Sequence, residues 1–108
     1  MRFAGLARLL VVDDHEVVRQ GLVALLDRRE GFQVVAEAGS AAESIEQARR
    51  FQPDIVVMDL SMPGMGGLEA VRRLVAQDPK VRILALSAHE DTAHPQRVLR
   101  AGALGYLA

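Results

Sequence analysis

The sequence predicts an α/β domain built on a parallel sheet with helices on both faces, and three observations carry that prediction. Short runs rich in Val, Ile and Leu recur along the chain, segments with apolar residues at helical spacing stand between them, and Gly or Pro marks the returns from helix to strand. Strict alternation of strand and helix requires crossover connections, which are right-handed and make parallel strands buried on both sides.

The first strand is read at Arg8 to Val12, followed by a helix carrying Val18, Leu22, Leu25 and Leu26 on one face. Gly31 returns the chain to a second strand at Phe32 to Ala38, and Ala42, Ile45 and Ala48 mark the second helix. Pro53 precedes a third strand, Ile55 to Met58, and Leu68, Val71, Leu74 and Val75 give the third helix. Asp78-Pro79 ends that helix before a fourth strand at Val81 to Ser87. A weaker fourth helix carries Val98 and Leu99, and Gly105 to Ala108 is the fifth strand. The order is βαβαβαβαβ, with strands one, three and four apolar enough to be central.

The 108 residues suit one domain, and the balance of half hydrophobic to a quarter charged residues is that of a globular protein. A net charge of -1 provides no positive field for a nucleic acid backbone. The absence of cysteine excludes disulfides and thiolate metal sites and fits a reducing cytoplasm. The start MRFAGLARLLVV runs straight into Asp13 and Asp14 without a cleavage site, and no run of about 18 apolar residues occurs. The chain reads as soluble and cytoplasmic, with no membrane contact.

In an open α/β sheet, ligands bind at the carboxyl ends of the strands, near the point where strand order reverses. The residues just past the strands there are Asp13 and Asp14, then Asp59, then Ser87. Asp54, about 16 Å from Asp59 at roughly 3.3 Å per residue, belongs to the opposite edge. Two carboxylates about 4 Å apart repel by roughly 4 kcal/mol at an effective dielectric of 20, so such a cluster takes up protons or a cation. Hard oxygen ligands favour Mg²⁺ over zinc, copper or iron. A carboxylate beside Mg²⁺ can attack phosphorus, and Asp59, at the end of a central strand, is best placed to do so. Asp13 and Asp14 suit the metal and its waters, and Ser87 can donate a hydrogen bond to a phosphoryl oxygen.

Each residue also has a plain structural reading. Asp13 and Glu16 have the spacing of a capping box, Asp59 suits a loop cap, and Ser87 suits an ordinary strand end. His15, His89 and His94 show no metal-ligand spacing and read as loop or helix-start residues. Met58, Met62 and Met65 read as core and loop filling. Gly64, Gly66 and Gly67 lack the Lys and Ser/Thr of a phosphate loop and read as a flexible turn that lets the Ser61 carbonyl approach the metal.

The stretches LLVVDDHEVVRQGL, DIVVMDLSMPGMGGLEAVRRL and ILALSAHEDTAHPQRVLRAGALGYLA together resemble the receiver domain of two-component response regulators over nearly the whole chain. VVDDHEVVRQGL and RAGALGYLA most resemble the NarL/LuxR type. The resemblance implies a flavodoxin-like, CheY-like doubly wound sheet of five parallel strands, with residues 1 to 108 forming the receiver and no output domain. It implies that Asp59 accepts a phosphoryl group from a sensor histidine kinase. Asp14, Asp59 and the Ser61 carbonyl would then hold Mg²⁺ directly and Asp13 through water, while Ser87 and Tyr106 form the coupled switch. It further implies a homodimer on activation through the fourth helix and fifth strand, kinase docking around Val17 and Gln20, and DNA binding only through a separate helix-turn-helix domain. The molecule would be a signalling domain that assists its own phosphorylation and dephosphorylation, not an enzyme.

One departure stands out. Receivers carry a lysine just past the fifth strand, and here the sequence stops at Ala108, where it would come next; the fifth helix is missing as well, so the receiver reads as truncated at its carboxyl end. The only lysine, Lys80, precedes the fourth strand and belongs to the wrong edge. The absent lysine favours a phosphorylation-independent pseudo-receiver, whereas Asp13, Asp14, Asp59 and Ser87 oppose it. A Mg²⁺-dependent phosphohydrolase on a related fold would pair Asp59 with a second acid two residues on, where Ser61 stands.

Overall fold

The computed structural model describes residues 5–60 and 66–86 in full and the backbone of 105–107. The elements are β1 (Ala7–Val12), α1 (Glu16–Asp27), β2 (Phe32–Ala38), α2 (Ala41–Phe51), β3 (Ile55–Asp59), α3 (Gly67–Gln77), β4 (Arg82–Leu86) and β5 (Gly105–Leu107). The expected fourth helix lies outside the described residues. The five strands form one parallel sheet in the order β2-β1-β3-β4-β5. The chain moves from β1 to one side for β2 and to the other for β3, so the order reverses beside β1, and that is where a ligand cleft is expected.

Side-chain alternation along the strands divides the core in two. Leu10, Val12, Val56, Met58, Ile83 and Ala85 face α2 and α3 and form one cluster with Ala48, Ala70, Val71 and Leu74. Ala7, Leu9 and Val57 face the other way, toward Leu26 of α1, with Phe32, Val34 and Leu86 half-buried beside them. A bulge in β2 matters to this division. Leu9 pairs with Val34 but Leu10 pairs with Ala36, leaving Val35 extra. The added residue reverses the alternation, so Phe32 and Val34 face α1 while Ala36 and Ala38 face α2.

Three details of the helices differ from the sequence reading. In α2 the buried residues are Ala41, Ser44 and Ala48, while Ala42 is exposed. Ser44 is tolerated there because its hydroxyl donates to the Ala41 carbonyl at 2.6 Å. α1 packs over β1 and β2 but has no fully buried residue; Val18 and Leu25 are exposed, and Leu22 and Leu26 are half-buried. Among the described residues no second helix shares its face of the sheet. Finally, Gly66 and Gly67 are not a loose turn. Gly66, at φ 85°, is the N-cap of α3, and Gly67 is its first residue. A Cβ on Gly67 would stand 2.6 Å from Leu60 Cδ2 and 2.7 Å from Leu60 Cα, so only glycine lets α3 start this close to the end of β3.

Candidate functional site

Val12, the last residue of β1, pairs with Met58, one residue before the end of β3, which sets Asp13 and Asp59 side by side at the carboxyl edge. They share the alternation of Leu9, Val11 and Val57 and therefore the same side of the sheet. Both are buried, at 5% and 9% exposure. Asp14 begins the turn into α1 and is more exposed, and His15 follows as the N-cap. One ligand atom from each of Asp13, Asp14, His15 and Asp59 lies within 4.8 Å of all the others.

The backbone of this turn is held from several directions. The Asp13 N–H donates to the Ala38 carbonyl at 3.0 Å, and the Arg19 guanidinium donates to the Asp13 carbonyl at 2.8 Å. Arg19 also bonds Glu37 at 3.0 Å, and the Gln20 amide donates to the same Glu37 oxygen at 2.9 Å. Glu37 faces α1 because of the bulge at Val35. The Asp13 carboxylate accepts the His15 backbone N–H at 2.8 Å, an Asx-type turn. That replaces the capping box read from Asp13 and Glu16, since the N-cap is His15 and makes no side-chain cap bond. His15 is a helix-start residue as read, yet its Nδ1 lies 3.1 Å from an Asp14 oxygen and 3.6 Å from an Asp13 oxygen.

Three carboxylates this close, two of them buried, repel one another strongly unless a positive charge joins them. The donors are hard oxygens with one imidazole at the rim and no thiolate, and they fit a small dication such as Mg²⁺.

Of the residues singled out in the sequence, Asp13, Asp14 and Asp59 come together here. Ser61, Ser87, His89, His94 and the Tyr106 side chain lie outside the described residues; the Tyr106 backbone pairs with Ala85 in the β4–β5 ladder. Asp54 is at the opposite edge, as expected, and there its carboxylate accepts the Arg8 N–H at 2.8 Å. Lys80 lines a cleft at that same edge with Asp54, Asp78 and Arg82. His15, Arg19 and Glu37 were not marked by spacing; only the adjacency of His15 to two acids offered a signal.

Fold and site together define a doubly wound α/β domain with an acidic cluster at the switch point of its sheet. The family model for the response regulator receiver domain matches residues 9–108, and the chain belongs to that family, as the receiver domain of a NarL/LuxR-type regulator. It is 47% identical over 100 residues to the response regulator GacA of Pseudomonas viridiflava, an alignment covering 93% of this chain and 47% of that protein. The chain thus spans about half the length of the curated relatives it matches. Among solved structures, a two-component response regulator of the LuxR family from Aurantimonas sp. SI85-9A1 superimposes with a TM-score of 0.88 at 46% identity, covering 94% of this chain and 73% of that one. A response regulator protein from Burkholderia pseudomallei, solved with a phosphorylated aspartic acid, calcium ion and citrate, matches with a TM-score of 0.84 at 31% identity, over 94% of this chain and 58% of that one.

Proposed function

We propose that this domain accepts one phosphoryl group on Asp59 from a phosphohistidine of a sensor kinase and uses it to control an output in the full-length protein. The observation that carries the reading is the meeting of buried Asp59 with Asp13 and Asp14 at the switch-point edge. In the transfer a carboxylate oxygen of Asp59 attacks phosphorus, the P–N bond to the kinase imidazole breaks, and the imidazole leaves neutral, its freed nitrogen taking a proton from water.

Asp14, Asp59 and the Ser61 carbonyl would hold Mg²⁺ in this reading, and Asp13 would act through water. When bound, the ion neutralises charge on the transferring phosphoryl group. The chain's own contribution is position: β3 holds Asp59 beside Asp13, and Arg19 clamps the Asp13 carbonyl to Glu37. Ser87 then bonds a phosphoryl oxygen and Tyr106 turns inward, so that new charge biases a two-state surface. The output is DNA-binding transcription control through a separate domain, with a homodimer as the active form in the cytoplasm.

The test is incubation with a small phosphodonor and Mg²⁺, followed by intact-mass measurement. One added phosphoryl group that disappears in Asp59→Asn supports the proposal. No adduct would favour a phosphorylation-independent receiver, and steady turnover of a phosphoester a hydrolase.

A further inference from the structure

Resting on that reading of the acid cluster as a metal site, we propose that His15 supplies a nitrogen ligand to the bound dication. The site would then prefer Mn²⁺, and other nitrogen-tolerant dications, over Mg²⁺.

Two independent observations lead there. The first is spacing. In an octahedron with bonds of about 2.1 Å, neighbouring ligands stand about 3.0 Å apart and opposite ones about 4.2 Å. Nδ1 of His15 is 3.1 Å from the oxygen of Asp14, which holds the ion directly in that reading, close to the separation of neighbouring ligands.

The second is that helix initiation does not account for the residue. An N-cap favours Ser, Thr, Asp or Asn, whose side chains accept a backbone N–H of the first turn. His15 occupies that position in an extended conformation and caps nothing. Its backbone is fixed from both sides, the N–H on the Asp13 carboxylate and the carbonyl on the Arg19 N–H. The imidazole is 72% exposed, so packing does not hold it over the acids. What it meets there is the acid pair, while exposure leaves it room to move the short distance onto a cation.

A mixed nitrogen and oxygen donor set moves affinity away from Mg²⁺ toward the transition metals. The experiment uses Mn²⁺ as the probe, bound to the wild-type protein, to His15→Ala and to His15→Gln. Pulsed electron paramagnetic resonance reads imidazole nitrogen coupled to the metal, and calorimetric titration reads the ratio of Mn²⁺ to Mg²⁺ affinity. The expected result is a nitrogen coupling in the wild type that both variants lose, with the ratio falling on the order of tenfold. Mn²⁺ bound without nitrogen coupling would overturn the role of His15 while leaving the acids as a metal site. A ratio restored by His15→Gln, which keeps a hydrogen-bond donor, would overturn coordination in favour of hydrogen bonding. Failure of the wild type to bind either ion would overturn the metal site itself, and this inference with it.

Discussion

Asp54 and Asp59 stand at opposite ends of β3, close in sequence and set among unlike neighbours. Asp54 accepts the Arg8 N–H on its side chain, while its own N–H and carbonyl join Arg8 and Arg82 of the flanking strands. Its charge is used locally, to finish the sheet where β1 begins. Asp59 is set beside two other carboxylates and an imidazole at the carboxyl edge, where crowded acids favour the entry of a cation. The difference teaches that an acid at a strand end says little by itself. What matters is which edge it occupies and what the neighbouring strands bring to that edge.

Exchanging the roles of the two ends is the way to test this. The largest effect is expected from Asp59→Asn, which should abolish phosphoryl uptake in intact-mass spectra yet change the thermal midpoint little, because asparagine keeps nearly the same shape. Asp54→Ala should show the reverse signature. Losing the acceptor of a partly buried backbone N–H should cost about 1–3 kcal/mol in denaturant unfolding, with phosphoryl uptake intact. Gly67→Ala sharpens the contrast by disturbing only the carboxyl end. Its Cβ would meet Leu60 backbone and side chain, so a loss of about 1–3 kcal/mol should accompany slower uptake as the Asp59 backbone shifts. A smaller effect is expected from Arg19→Met, which keeps the apolar stem but releases the Asp13 carbonyl. Mg²⁺ affinity by titration should fall on the order of tenfold, with little change in the unfolding midpoint.

The strands were the most legible part of the sequence. Their apolar runs put β1, β3 and β4 within a residue or so of the observed limits, because buried parallel strands leave almost no polar positions to confuse the reading, and the edge strand β2 is bounded by Gly31 and Gly39. Once the strands were placed, Asp13, Asp14 and Asp59 followed from the rule about sheet edges. The helices were harder. Apolar spacing put Ala42 on the buried face of α2, but a back-bonded serine took a place there that no hydropathy pattern assigns to it. In α1 the spacing of Val18 and Leu25 was right for a helix and yet did not give burial, since burial depends on what else covers that face of the sheet. The supports of the site were least visible. Arg19 reaches Glu37 only because an extra residue at Val35 turns Glu37 toward α1, and a bulge of that kind has no signature in a run of Val and Ala. A glycine-rich stretch suggests freedom for a loop, whereas the role of Gly67 is the close approach of two backbones.

The central claim is that position 59, and no other acid of the cluster, carries the phosphoryl group. The direct measurement is borohydride reduction of the phosphorylated protein, which converts an aspartyl phosphate to homoserine, followed by peptide fragmentation to locate the change. Homoserine at position 59 alone is the predicted result. Homoserine at position 13, 14 or 54, or a phosphorylated protein with no reducible aspartyl phosphate, would contradict the account.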